Sequence, residues 1–161
     1  MNIAVIDTNY QHEWHFGLAA SWLRWELSRR GIDEVKPEDA DILLVTTSSQ
    51  QGVSEVRSHL RRIKNKSARV IVGGGGCYAP AIFDDIADVV CVGEGTRFID
   101  VLLSGGGGYD AAVKLPEAWV PGETRAVVPY LEFPWNLPPV MNTDGFVRVF
   151  GSRGCKFRCL F

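Results

Sequence analysis

The chain has 161 residues, which is long enough for one domain with a substantial core and an appendage. Hydrophobic residues make up 46% and charged residues 22%, a composition that excludes a disordered chain. The formal net charge of −2 does not indicate nucleic acid or an anionic membrane surface as a partner. No apolar run approaches the length of a membrane span, and the start of the chain lacks a signal-peptide pattern. Four cysteines without an export signal lead us to expect a reducing, cytoplasmic compartment.

Short apolar runs alternate with amphipathic stretches along the first two thirds of the chain. Continuous apolar runs, as at residues 3–6, are typical of parallel strands that are buried on both faces. The pattern predicts five strands, at residues 3–6, 32–36, 41–47, 69–72 and 88–92. It predicts helices at residues 16–27, 53–63, 79–86 and 96–103. This alternation indicates an α/β fold, a flavodoxin-like doubly wound parallel sheet with the strand order 2-1-3-4-5.

Four loops are expected to lie together beyond the carboxyl ends of these strands, where ligands bind in sheets of this type. They cover residues 7–12, 46–51, 73–77 and 93–95 and are rich in Gly, Ser, Thr and Asn. Such residues let a ligand approach the backbone, but short loops also need them for their turns, so both interpretations stay open.

Two cysteines fall within this part of the chain. Cys77 follows four glycines, and we expect it to be the cysteine that faces the ligand edge if either does. Cys91 lies inside a predicted strand and is interpreted as a small buried hydrophobe.

A stretch rich in glycine and proline follows. Four consecutive glycines occupy positions 105–108, and six prolines lie between residues 109 and 143. Proline at that density excludes long helices and predicts an extended connector. The predicted division is a domain at 1–104, a connector at 105–145 and the start of a further unit at 146–161.

The last segment carries two closely spaced cysteines. An apolar, strand-like run at 146–150 leads into a basic, Gly-rich loop that contains Cys155 and Cys159. Thiolates at this spacing can hold one edge of an iron–sulfur cluster, with N–H groups of nearby glycines bonded to its sulfurs. Two cysteines four residues apart also fit one face of a helix as ordinary buried side chains.

The Cys155-x3-Cys159 loop resembles the start of the C-x3-C-x2-C signature of the radical S-adenosylmethionine superfamily. The resemblance implies that both cysteines ligate a [4Fe–4S] cluster, with a third ligand at position 162. In that family the cluster cleaves S-adenosylmethionine to a radical that abstracts hydrogen. We therefore expect an N-terminal fragment, inactive as given, whose missing C-terminal barrel is supplied in cis or in trans. An expression fragment, a truncated gene and an intein interruption would each explain this boundary.

The upstream segment resembles the cobalamin (B12)-binding-type domain that precedes the barrel of many radical S-adenosylmethionine enzymes. The resemblance is carried by segments 41–47, 70–74 and 87–95, which contain Thr-Thr, Gly-Gly and Gly-Glu-Gly after successive strands. It implies a cofactor-binding edge formed by Asn9, Thr46, Ser48, Gly73, Gly74, Gly93, Glu94 and Gly95. The cofactor that it implies is cobalamin.

One feature of that family is missing. Asn9 stands where cobalamin-dependent mutases have a histidine that ligates cobalt, so the resemblance does not imply cobalt ligation by that route. His12 and His15 follow in the same loop, and loop histidines are more often solvated or hydrogen-bonded than metal-bound.

The function implied by both resemblances is radical chemistry on an unidentified substrate, with methyl transfer as the usual outcome where cobalamin is bound. No catalytic residue is assigned. The alternative is a non-catalytic flavodoxin-like module that binds a ligand or a protein and retains a relic cluster loop. A response-regulator receiver is disfavoured, because Thr46-Thr47 ends the third strand where a phosphorylatable Asp would stand. We expect no membrane partner, and nucleic acid is not indicated.

Overall fold

A computed structural model describes residues 1–8, 18–47, 53–63, 67–75, 77–104, 107–129, 140–141 and 147–148. Cys155 and Cys159, together with Asn9 and Ser48, lie outside the described residues, so the predictions made for them stay predictions. Within the described part of the chain, no helix is long and apolar enough to cross a membrane.

The centre of the molecule is a five-stranded, mostly parallel sheet. Its strands are β1 (Ile3–Asp7), β2 (Ile42–Thr46), β3 (Arg69–Gly73), β4 (Val89–Cys91) and β5 (Ala118–Trp119), and they neighbour one another in that order. The first four are parallel, and β5 pairs antiparallel with β4. The α/β fold is therefore confirmed, and its sheet is consistent with a flavodoxin-like arrangement.

The predicted strand at 32–36 is reduced to a single parallel bridge between Ile3 and Glu34. It lies on the side of β1 away from β2, which is the position that the order 2-1-3-4-5 assigns to the second strand. The Glu34 carboxylate accepts a hydrogen bond from the Val5 N–H at 3.1 Å and another from Arg24 Nε at 2.9 Å. A side chain thus replaces part of the backbone ladder, because this polar, largely exposed segment buries too little apolar surface to form a full strand.

Helices cover both faces of the sheet, as a doubly wound fold requires. The helices are α1 (Leu18–Arg29), α2 (Val53–Arg62), α3 (Thr96–Leu103) and α4 (Gly108–Ala112). Buried residues of α1, α3 and α4 form one core with alternate residues of the strands. Buried residues of α2 form a second core on the opposite face. The helix predicted at 79–86 is shorter than expected: only a 3-10 turn, Pro80–Phe83, forms there, and it carries the fully buried Phe83 into the second core.

Part of the segment predicted to be an extended connector folds onto the sheet. The prediction is wrong for residues 108–119, where α4 and β5 form and place Ala112 and Ala118 in the first core. Proline did not prevent this, because Pro116 and Pro121 flank the two-residue strand instead of interrupting it. Farther along, β6 (Val140–Met141) and β7 (Val147–Arg148) form a small antiparallel pair.

Candidate functional site

A cavity of about 90 Å³ lies at the carboxyl ends of β2, β3 and β4. It is on the sheet face that α1 and α3 cover, and both helices contribute to its walls. This is the edge of a parallel sheet at which doubly wound proteins bind their ligands.

Six of the eight residues predicted to form a cofactor-binding edge line this single cavity: Thr46, Gly73, Gly74, Gly93, Glu94 and Gly95. They come from three loops that are well separated along the chain, and parallel pairing of the strands brings the loops together. The other two predicted residues, Asn9 and Ser48, fall outside the described residues.

The walls of the cavity are apolar. Their side chains come from α1, α3 and the strands, and include Trp22, Leu23, Leu44, Ile71, Phe98 and Ile99. The sequence did not predict the contribution of the helices; the helical spacing of Trp22 favours a core or partner-facing aromatic, with ring stacking as the less favoured interpretation. The predicted strand order could have indicated it. In that order the helix after the first strand and the helix after the last parallel strand, α1 and α3, cover the same face of the sheet.

Gly74 holds two of the cavity loops in close contact. Its φ is +112°, and a Cβ at this position would lie 2.3 Å from the backbone oxygen of Thr47. The neighbouring contact is a hydrogen bond of 2.9 Å from the Thr47 N–H to the Gly73 oxygen. The glycine is therefore required by the approach of the β2 loop to the β3 loop, whatever the cavity binds.

Gly73 and Gly95 differ from Gly74, because a side chain there would meet no backbone obstacle. A Cβ on Gly73 would lie 3.8 Å from Cys91 Cβ, and a Cβ on Gly95 would lie 3.9 Å from Cys91 Sγ. Both distances are ordinary van der Waals contacts. A Cβ would therefore fit at Gly73 and at Gly95, and both glycines line the cavity.

Polar contacts fix the end of β2 at the rim of the cavity. The hydroxyl of Thr8 donates a hydrogen bond of 2.7 Å to the backbone oxygen of Thr46, and the hydroxyl of Thr46 donates to Asp7 Oδ1 at 3.4 Å. The ends of β1 and β2 are thereby joined, and Thr46 is held in one orientation next to the cavity.

Ion pairs hold the helices that form the walls. Arg97 of α3 makes a bidentate pair with Glu117, whose side chain is fully buried, and one of the two bonds, from Nε to Oε1, is 2.8 Å long. Arg30, directly after α1, pairs with Asp100 of α3 and with the buried Glu26 of α1. These contacts tie the end of α1 to α3 and tie α3 to the segment that leads into β5, so the two helices of the cavity wall are held together.

The two cysteines of this domain lie in opposite cores. Cys91 lines the cavity, whereas Cys77 is fully buried on the other face of the sheet. The expectation that Cys77 would face the ligand edge is therefore wrong, and Cys91 faces it instead. Burial raises the pKa of the Cys77 thiol to about 12 and also raises the pKa of Cys91 strongly, so neither is a thiolate at neutral pH.

Within the described ranges, no group of three or more His, Cys, Asp or Glu side chains could hold a metal ion. The one histidine among these residues, His59, is on α2, which packs on the sheet face away from the cavity. The cavity could therefore hold the apolar part of a large cofactor, but the residues described there supply no cobalt ligand.

The indole nitrogen of Trp22 is one of three buried side-chain polar atoms that have no hydrogen-bond partner in the described part of the chain, and it belongs to a residue of the cavity wall. Trp22 is only 6% exposed, and its Nε1–H is buried without a hydrogen-bond partner in the described structure. Buried Trp N–H groups usually have an acceptor, because an unpaired buried donor costs free energy.

Comparison with protein families, with curated proteins and with solved structures finds no match for this chain. Function is therefore inferred from the motifs and from the cavity that they form.

Proposed function

We propose that this chain is the N-terminal part of a radical S-adenosylmethionine protein. In this proposal residues 1–104 are a cobalamin-binding-type domain, and Cys155 and Cys159 are two ligands of a [4Fe–4S] cluster. The alternative of a non-catalytic binding module shares the same cavity and differs only in the role of the two cysteines.

The observation that carries the proposal is the convergence of three motifs on one cavity. Thr-Thr and Gly-Gly begin at the last residues of β2 and β3, Gly-Glu-Gly lies shortly after β4, and all three motifs contribute residues to the cavity wall. A need for a left-handed turn would explain Gly74 and Gly93, whose φ angles are positive, but it does not explain Gly73 and Gly95, which also line the cavity. The proposal is supported by the resemblance of the three motifs to the cobalamin-binding-type domain together with their position around one cavity.

The residues of this chain would have distinct roles around such a cofactor. Gly73 and Gly95 would let its surface approach the backbone, and the apolar side chains of α1 and α3 would cover it and exclude water. Thr46, held by Asp7 and Thr8, would offer hydroxyl lone pairs at the rim. Cobalamin, when bound, supplies a methyl group carried on cobalt.

The test is a calorimetric titration of the 161-residue protein with methylcobalamin. We expect one binding site in the natural protein, weaker binding in Gly73→Ala and much weaker binding in Gly73→Val, because the added carbons occupy the cavity. Thermal denaturation of each variant shows whether it is folded. Absence of binding by the natural protein, or equal binding by the folded valine variant, would overturn the cobalamin assignment.

The cluster assignment needs a separate test. After anaerobic reconstitution with iron and sulfide, the natural chain is expected to retain more iron than a variant with Cys155→Ser and Cys159→Ser. Cobalamin binding should be the same in both proteins. Equal iron retention would remove the cluster from the proposal and leave the binding module.

A further inference from the structure

The buried indole N–H of Trp22 indicates the chemistry of the ligand that the cavity takes. Trp22 lies on α1, is 94% buried and contributes to the cavity wall. Its Nε1–H has no partner among the described residues. A buried donor without an acceptor is rare in native proteins, and one that lines a cavity is explained if a ligand supplies the acceptor.

Other polar side chains of the cavity are weaker candidates for such a role. The hydroxyl of Thr46 already donates to Asp7, and Glu94 has an interaction of its own. The Cys91 thiol is a weak donor. The hydroxyl of Thr96 also lines the cavity, but only the Trp22 N–H is a buried donor without a partner among the described lining residues.

The charges around the cavity restrict the ligand further. No Lys or Arg lines it among the described residues, and the carboxylate of Glu94 does, so an anionic group is disfavoured. The flanking walls are apolar and include the aromatic ring of Phe98. Such walls suit the faces of a flat, uncharged ring.

A buried water normally makes about three hydrogen bonds, so a water on Trp22 Nε1 would need further polar partners in the cavity. A bound water would give the Trp22 N–H no preference for a ligand acceptor, and the comparison of the two probes below distinguishes it from the ligand.

We propose that the cavity takes a planar, neutral ring that carries a hydrogen-bond acceptor on its edge, and that Trp22 Nε1–H donates to this acceptor. The inference rests on the proposed function, since it concerns the same cavity. It adds a specificity-determining residue and the ligand chemistry that this residue selects. The volume of about 90 Å³ limits the enclosed part of the ligand to about one small ring, with the rest outside.

The test uses two probes that differ only in the acceptor, pyridine and benzene, at a pH well above the pKa of pyridine. The perturbation replaces the indole of Trp22 by benzothiophene, through incorporation of 3-benzothienylalanine, which keeps the shape of the side chain and removes the N–H. The same replacement at Trp25 is the matched control, because Trp25 lies on the same helix, is half-buried and does not line the cavity.

We expect the ratio of pyridine affinity to benzene affinity to fall about 2- to 10-fold on replacement at Trp22. This factor corresponds to the loss of one neutral hydrogen bond. The replacement at Trp25 should leave the ratio unchanged. In the natural protein, pyridine should shift the indole N–H resonance of Trp22 downfield, and benzene should not.

An unchanged ratio at Trp22, or a Trp22 N–H resonance that pyridine does not move, overturns the inference even if methylcobalamin binds. A changed ratio in a protein that does not bind methylcobalamin overturns the proposed function and leaves the inference in place. The two failures are therefore distinguishable.

Discussion

Replacing Cys77 by leucine should destabilise the protein, whereas replacing Cys91 by leucine should weaken ligand binding. Cys91 lines the cavity, and Cys77 is fully buried in the opposite core. The substitution is the same in both cases and adds about two carbon atoms. The cavity has room for them, whereas a closely packed core does not.

The magnitudes follow from the surroundings of each cysteine. At Cys77 the larger side chain should overpack the core and lower the free energy of unfolding by about 1–3 kcal/mol. At Cys91 two added carbons gain at most about 1.6 kcal/mol from burial. Lost rotamer freedom offsets about 0.5–1 kcal/mol of that gain, so the free energy of unfolding should stay within about 1 kcal/mol of the natural value.

Ligand affinity should fall in Cys91→Leu and stay unchanged in Cys77→Leu. If the Cys91→Leu side chain displaces about 80 Å² of apolar ligand surface, the loss is about 2 kcal/mol, which corresponds to about 30-fold in affinity. Cys77→Leu should bind methylcobalamin with the natural affinity at a temperature where it is folded.

The assays are urea denaturation, for the free energy of unfolding, and calorimetric titration, for affinity. Two results would refute the reasoning. One is destabilisation of Cys91→Leu by as much as Cys77→Leu, which would mean that the cavity is not available to a side chain. The other is natural affinity in Cys91→Leu, which would place the ligand elsewhere.

Two further predictions concern buried charge and pH. Arg97→Met leaves the fully buried Glu117 carboxylate without its partner, so we expect the free energy of unfolding to fall by about 3–5 kcal/mol, measured by urea denaturation. The double variant with Glu117→Leu should recover most of this loss, and a double variant as unstable as the single one would contradict the account. The folded pKa of Cys77 is about 12, above its ordinary value of 9.0, so the thiol stays protonated in the native state while it ionises in the unfolded chain. Its contribution to stability is complete below pH 9.0 and is lost as the pH rises from 9.0 towards about 12. The free energy of unfolding of the natural protein should therefore fall faster than that of Cys77→Ala in this range, by about 1.4 kcal/mol per pH unit, and parallel pH profiles would contradict the prediction.

Most of the sheet could be predicted from the sequence, because the signals are local. Continuous apolar runs identify β1, β2, β3 and β4, and glycine or threonine directly after a run identifies the carboxyl edge. The strand expected at 32–36 formed only in part, because Asp33, Glu34 and Lys36 leave it few apolar residues to bury. The helix expected at 79–86 formed only as a 3-10 turn. The short β5 could not be found, since two residues carry no periodic pattern and its pairing with β4 depends on a distant part of the chain.

The loops of the candidate site were determined by the sequence, and its walls only by the tertiary structure. A strand that is buried on both faces is apolar at every position, so its sequence does not show which residues face which helices. For that reason the sequence could not tell that Cys91 faces the cavity while Cys77 packs in the opposite core. The same holds for Trp22, whose helical spacing predicts burial but not the absence of an acceptor for its N–H. Only the packing of α1 against the sheet decides that, because an acceptor can come from any segment that folding brings near.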